Sequence, residues 1–494
     1  MPAETAGHRA RLCVAGLSGG GGKTLFSLGL ARTLVADGVR VKPFKKGPDY
    51  IDAAWLSLAC GLPATNLDLF FLEPAKLRAL FLNSAFASSA DFALVEGNRG
   101  LFDGLDVDGV YSTAELARFL ACPVLLILDV AKMTRTAAAL LQGMQHFESE
   151  VDFCGVILNR VGSSRHADIL RQAIEKYTDI PVLGAMPRLS VNPLPERHMG
   201  ISSRGPSLAE DADGRLEMLA AHIRRYADVA AIHNAAASAR PLPELDERQE
   251  HLDGEDLKRH AAKPAVRIVP KPTIGYVLDA AFWFYYEENL RALSDAGARL
   301  ARLSLLDSGD AQASMCGWES LDGLYLGGGF PEDFAFQLSR SPLLPLLGKL
   351  ANDGLPIYAE CGGLMLLAKK LVHQGKVWPM AAIFPMTVEF CDRPQGLGYV
   401  EGAVRMDNPF FPVGLRLRGH EFHYSRCQWN GAMPETVLQL ERGVGMGTSN
   451  GTGHDGLLRN NAWGSYTHIF APAVPAWARN FVALATAYHR RRGV

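Results

Sequence analysis

The chain has 494 residues, 48% apolar and 21% charged, the composition of a soluble globular protein with length for two or three domains rather than one small core. Its 50 Lys plus Arg nearly balance 52 Asp plus Glu, and the formal net charge of −2 provides no basic field to gather nucleic acid or anionic lipid. Apolar runs such as residues 123–128 fall far short of the roughly 18 residues a membrane helix needs, and the N-terminus lacks an apolar signal core, so the expected location is the cytoplasm with no membrane partner.

From Arg11 to about Gly184, short Val/Ile/Leu-rich runs alternate with helix-period segments, the pattern of a parallel sheet covered by helices. The predicted strands are Leu12–Ala15, Val39–Phe44, Phe92–Val95, Val124–Leu128, Gly155–Leu158 and Val182–Leu183. Between the first two, Leu28, Ala31, Leu34 and Val35 recur at helical spacing and Gly38 supplies a stop, completing a βαβ unit.

The first strand runs into Gly16-Leu-Ser-Gly-Gly-Gly-Gly-Lys23-Thr24 and then a helix. In this context backbone N–H groups and a helix N-terminus cradle phosphates, with Gly20 and Gly22 shaping the loop. Lys23 then faces β/γ-phosphate charge, and the Thr24 hydroxyl is placed to ligate magnesium. Residues 42–52, Lys-Pro-Phe-Lys-Lys-Gly-Pro-Asp-Tyr-Ile-Asp, follow the second predicted strand, where Lys45 and Lys46 suit anionic substrate groups. There Asp49 and Asp52 suit magnesium or carboxylate ordering. After the third strand, Glu96 opens Glu-Gly-Asn98-Arg99-Gly and is expected to bind the metal.

Residues 231–271 turn to small and charged residues with scattered prolines and read as a linker between domains at 1–230 and 272–494. A second alternation follows, with strands at Ile274–Leu278, Leu324–Leu326 and Pro356–Ala359, a helix after Gly363, and a Gly/His-rich stretch leading to Trp463–Phe470. Gly327-Gly328-Gly329 ends one strand and is expected to turn backbone N–H groups inward as oxyanion donors. The eight cysteines show no CxxC or zinc spacing, and most read as small core residues. Cys361 is the exception: Ala359-Glu-Cys361-Gly-Gly363 places it on a strand–elbow–helix turn, expected to expose the thiol beside a helix N-terminus and lower its pKa. His468 is the best candidate base, with His420 and His423 as competitors.

A phosphate loop joined to a thiol elbow suggests two coupled half-reactions, one releasing ammonia and one activating a carboxylate. Through the segments already quoted, together with Leu158-Asn-Arg-Val-Gly-Ser163, Arg197-His198, Asp279-Ala-Ala-Phe282 and Gly419-His-Glu-Phe-His-Tyr-Ser425, nearly the whole chain resembles the cobyrinic acid a,c-diamide synthase family. The resemblance implies an N-terminal P-loop domain similar to dethiobiotin synthetase and a C-terminal triad glutamine amidotransferase-like domain, both α/β. It also implies Cys361 and His468 as catalytic pair, with ATP and Mg²⁺ serving amidation of two corrinoid carboxylates. Glutamine would be the nitrogen donor, and a homodimer is compatible with the family. The same diamidation of nickel-sirohydrochlorin is the nearest rival, and a P-loop ATPase switch carrying an inactive thiol domain is a reading of another class. Ser18, where dimer-sensing ATPases of the partitioning type carry a signature lysine, argues against that switch. Two departures stand out: Ala359 replaces the usual elbow glycine, and His468-Ile469-Phe470 replaces the usual His-x-Glu, leaving the third triad residue unassigned.

Overall fold

The computed structural model describes residues 10–189, 194, 207–242, 271–306, 311–429, 431, 433–449 and 452–492, so Arg197-His198 and most of the expected linker lie outside the described residues. The chain divides into two compact units, which meet in sequence near residue 264.

The first unit runs β1 (Ala10–Gly16), α1 (Lys23–Ala36), β2 (Val41–Lys46), α2 (Ile51–Cys60), β3 (Thr65–Leu67), α3 (Pro74–Ala87), β4 (Phe92–Glu96) and α4 (Thr113–Phe119). It continues with β5 (Val124–Asp129), α5 (Thr136–Phe147), β6 (Phe153–Val161), α6 (Ser164–Tyr177), β7 (Val182–Pro187), α7 (Ser207–Tyr226) and α8 (Val229–Ala237). All seven strands are parallel in the order β3-β2-β4-β1-β5-β6-β7, and the central ones, β1, β4 and β5, are the apolar runs buried on both faces that such a sheet needs. β1 is central, and the chain leaves its carboxyl end where an open α/β sheet binds ligands. Helix α1 packs closely on α7: a Cβ on Gly29 would stand 2.6 Å from Ile223 Cγ1 and 2.9 Å from the Leu219 carbonyl, so only glycine admits this approach.

Two expectations shift. β2 ends at Lys46, not Phe44, because its ladder with β4 continues through Lys45 opposite Glu96; both lysines therefore sit in a buried strand rather than in the loop after it. The supposed linker begins as α8, which buries Ile232 and Ala236 against the first unit, since Ala-rich sequence has high helix propensity whatever its low apolar contrast.

In the second unit Thr273–Val277, Arg299–Leu303, Gly323–Leu326, Ile357–Glu360 and Ala462–Ser465 form the parallel part of a six-stranded sheet, with Leu457–Arg459 antiparallel at its edge. Alternation along Ile357–Glu360 sends Ile357 and Ala359 into one core with Leu326 and Leu364, and Tyr358 into another with Trp463, Trp477 and Phe481. Two further sheets, largely antiparallel, are built mainly from residues 368–469, and one of them carries His468 on the short strand His468–Ile469 opposite His420.

Candidate active sites

At the carboxyl end of β1 the phosphate loop turns through Gly20 (φ 74°) and Gly22 (φ 98°), left-handed conformations that favour glycine, before α1 begins at Lys23. A Cβ on Gly22 would collide with the Asn159 amide, whose Nδ2 donates to the Gly21 carbonyl at 2.9 Å. Arg160, itself left-handed and paired to Asp129, donates to the Gly20 carbonyl at 3.0 Å. The end of β6 therefore grips the loop from outside. Sequence reasoning gave Asn159 and Arg160 no role, although their motif was visible.

Inside the loop, Lys23 Nζ donates to the carbonyls of Ser18 at 2.8 Å and Arg99 at 2.6 Å. Burial lowers its pKa. The Thr24 hydroxyl reaches Glu96 Oε1 at 3.0 Å and Asp52 Oδ2 at 3.3 Å. The same two oxygens each take a 2.6 Å bond from Lys45 Nζ. Burial raises Glu96 to about 7 despite Lys45, whereas Asp52 is held below its ordinary value by Lys45 against an opposing burial effect. Asp49 is set apart: its Oδ1 accepts from the Ile51 and Asp52 amides at 2.9 Å, capping α2, and only Oδ2 faces Lys45, at 4.0 Å. Lys46 is buried beside Asp68 instead of joining this cluster.

Among the described residues no three or more His, Cys, Asp or Glu form a closed metal cage. The cluster still fits a divalent cation shared with phosphate oxygens. Asp49, Asp52 and Glu96 oppose one close ammonium, and Glu96 Oε2 is buried without a hydrogen-bond partner.

In the second unit Cys361 stands at the strand–helix elbow with φ 47° and ψ −100°, a strained conformation for a side-chain-bearing residue. The turn is possible because its neighbours are glycines: a Cβ on Gly362 would lie 2.9 Å from the Gly329 nitrogen, and one on Gly363 2.5 Å from the Leu326 carbonyl. Contrary to the sequence expectation, the thiol is buried, and burial raises its pKa well above the usual range; the Gly362 amide acts in the opposite sense but is outweighed.

His468 is also buried, its ring stacked on His420 with centroids 4.9 Å apart. Its Nδ1 lies 3.4 Å from Glu360 Oε2, which accepts the Tyr325 hydroxyl at 3.0 Å, while Oε1 accepts the Ile469 amide at 3.0 Å. The acid beside His468 is thus Glu360, the residue before Cys361, and not a residue following the histidine. The rival histidines are committed elsewhere. His420 faces the Tyr286 hydroxyl and is driven toward neutrality by burial, and His423 bonds the Ser425 carbonyl at 2.7 Å and Glu421 at 3.3 Å.

The triple glycine lies against the elbow but is not uniformly free. The Gly327 amide donates to the Tyr285 hydroxyl at 2.9 Å, which removes it from the expected oxyanion donors; Gly328 and Gly329 pair with Phe284 and Phe282 in a short antiparallel ladder, and the Gly329 nitrogen faces Gly362 of the elbow. A Cβ on Gly328 would stand 2.7 Å from His468 Cε1, so the loop passes directly beside the histidine. Asp279 holds the facing turn through the Ala281, Phe282 and Leu305 amides, and the Ala281 carbonyl accepts the Phe330 amide at 2.9 Å.

A family model for a CobQ/CobB/MinD/ParA nucleotide binding domain matches residues 12–201, and one for a CobB/CobQ-like glutamine amidotransferase domain matches residues 273–474. The chain is 38% identical to the cobyrinate a,c-diamide synthase of Magnetococcus marinus over 95% of each chain. It is 37% identical to that of Dehalococcoides mccartyi strain 195, covering 97% of this chain and 99% of the other. With that of Archaeoglobus fulgidus it shares 36% identity over 96% of each.

Proposed function

Because the chain belongs to the cobyrinate a,c-diamide synthase family, and is thus a glutamine-dependent, amide-forming ligase that uses ATP, we propose that its acceptors are the a and c side-chain carboxylates of cobyrinic or hydrogenobyrinic acid. In this reading Cys361 Sγ attacks the glutamine carboxamide carbon. His468, oriented by Glu360, takes the thiol proton and returns it to the departing ammonia. Gly328 and Gly329 supply N–H groups to the oxyanion, and water then releases glutamate from the thioester.

At the other site a corrinoid carboxylate oxygen attacks the γ-phosphorus of ATP, ADP leaves, and ammonia displaces phosphate from the acyl phosphate to leave the amide. Lys23 Nζ, freed from the Ser18 and Arg99 carbonyls, follows the transferring phosphoryl group, and Gly20 and Gly22 let the loop amides face the phosphates. Thr24, Asp52 and Glu96, with Asp49 behind them, would hold Mg²⁺, which when bound neutralises phosphate charge. Lys45 bonds Asp52 and Glu96 and holds the two carboxyls aligned, whereas Lys46, buried beside Asp68, takes no part in this step. The partners are small molecules and the reaction belongs in the cytoplasm; among the described residues no helix is long and apolar enough to cross a membrane.

The observation that carries this reading is the elbow: a left-handed Cys361 preceded by Glu360, whose carboxylate meets His468 at 3.4 Å. It also disfavours an inert binding module, which has no use for that strain. The test incubates the protein with glutamine, ATP, Mg²⁺ and either corrinoid, with nickel-sirohydrochlorin in parallel, and follows product mass. One or two ATP-dependent exchanges of OH for NH₂ on the corrinoid are expected, and their absence there, whether or not nickel-sirohydrochlorin is amidated, would refute the assignment.

A further inference from the structure

One carboxyl near the thiol has no task in the mechanism above. Glu332 follows Gly327-Gly-Gly-Phe-Pro331 on a single 3-10 turn, Pro331–Phe334. Pro331 lies against the elbow, with its Cδ 3.2 Å from the position a Cβ on Gly362 would take. The Glu332 side chain is half-buried, but its Oε2 is shut off from solvent and has no hydrogen-bond partner. A buried acceptor left unpaired costs about 1–3 kcal/mol, and a ligand's donor is one way to recover it. Glu332 is also the charged group that acts most strongly on the Cys361 thiol.

Glutamine carries one cationic group, the α-ammonium, on the same molecule whose carboxamide must sit at Cys361. We propose that Glu332 receives the α-ammonium of glutamine and so selects the donor amino acid over amides that lack it. The inference rests on the glutamine chemistry assigned to Cys361 and adds to it a specificity group. Burial pushes the Glu332 carboxyl up to about 8, with Asp333 on its own turn and Cys361 on the elbow as the titratable groups acting with it. An arriving ammonium therefore replaces a proton, and the buried pair then satisfies Oε2 with a charge-assisted bond.

The test compares glutamine with glutaramate, the same amide without the α-amino group, in wild type, Glu332→Gln and Glu332→Asp, reading glutamate or glutarate release. Truncating one partner of a buried charge pair commonly costs two or more decades in binding, so wild type should prefer glutamine by about 100-fold in kcat/KM and Glu332→Gln by less than about 10-fold. Glu332→Asp, which keeps the charge on a shorter arm, should retain an intermediate preference. Because the readout is a ratio within each protein, partial unfolding cancels, and a Glu332→Gln protein too unstable to assay leaves the aspartate ratio to decide: an unchanged one overturns the proposal. Equal losses on both amides would also overturn it, placing Glu332 at the carboxamide or in the fold. A wild-type enzyme that releases nothing from glutamine would instead sink the glutaminase reading on which this rests.

Discussion

Replacing Glu360 with Gln removes a charge while keeping the shape. In the wild-type protein the carboxylate accepts from the Ile469 amide and the Tyr325 hydroxyl at 3.0 Å each and faces His468 Nδ1 at 3.4 Å. The amide oxygen of Gln can keep the Ile469 bond, so its NH₂ must turn toward Tyr325 and His468, where a donor meets the N–H that Nδ1 carries when Nε2 acts as base. A hydrogen bond to a charged partner contributes about 1.5–3 kcal/mol, and loss of a triad acid in hydrolases costs about four decades in turnover. The 3.4 Å contact is longer than an ideal one, so we expect two to three decades, about 3–4 kcal/mol at 1.36 kcal/mol per decade. The assay is glutamate release in single and double variants with His468→Asn. If Glu360 acts through His468, its substitution should cost almost nothing once the histidine is gone. A Glu360→Gln enzyme within about threefold of wild type, or one whose loss simply adds to that of His468→Asn, would refute the reasoning.

Cys361→Ala should abolish glutamine use and leave amidation driven by added ammonia, measured by product mass; equal loss with both nitrogen sources would count against two separate chemistries. Lys23→Ala should remove amidation with either donor, a barrier increase of at least about 3 kcal/mol, and near wild-type amide formation at saturating ATP would show the glycine loop to be a structural turn. Since burial raises the Cys361 pKa, the thiolate fraction in glutamine-free protein should grow with each pH increment. Alkylation of Cys361 should therefore keep accelerating from pH 7 to 9, and a plateau below pH 7 would contradict the buried-thiol account.

Much of the first unit was legible because its strands are buried on both faces and announce themselves as apolar runs, with a glycine loop of fixed context after β1. The end of β2 was not, since Lys45 and Lys46 look like loop residues until Glu96 appears opposite. The strands within 368–459 were also missed: many are partly exposed, with polar and charged residues breaking their apolar runs, and their pairing is set by partners elsewhere in the chain, as for Gly396–Val404 with Arg416–His423. At the thiol site the elbow around Cys361 was readable from its local glycines, and His468 was singled out from its sequence context. The burial of the Cys361 thiol was not, because it belongs to the folded core, and Glu360 was hidden by looking for the acid after the histidine instead of before the cysteine.

That placement of Glu360 alters which parts of the chain are tied together. When acid and base share one segment, the nucleophile is free to drift relative to both. Here Glu360 ends the strand and Cys361 is the next residue, on the elbow, and the histidine arrives alone from another sheet. A one-residue slip of Ile357–Glu360 against its neighbours would therefore misplace two members of the triad together, whereas the chain beyond His468 carries no catalytic obligation. Ile469 and Phe470 can then serve as buried anchors that pin the histidine strand, a role closed to an ionised residue at the same depth.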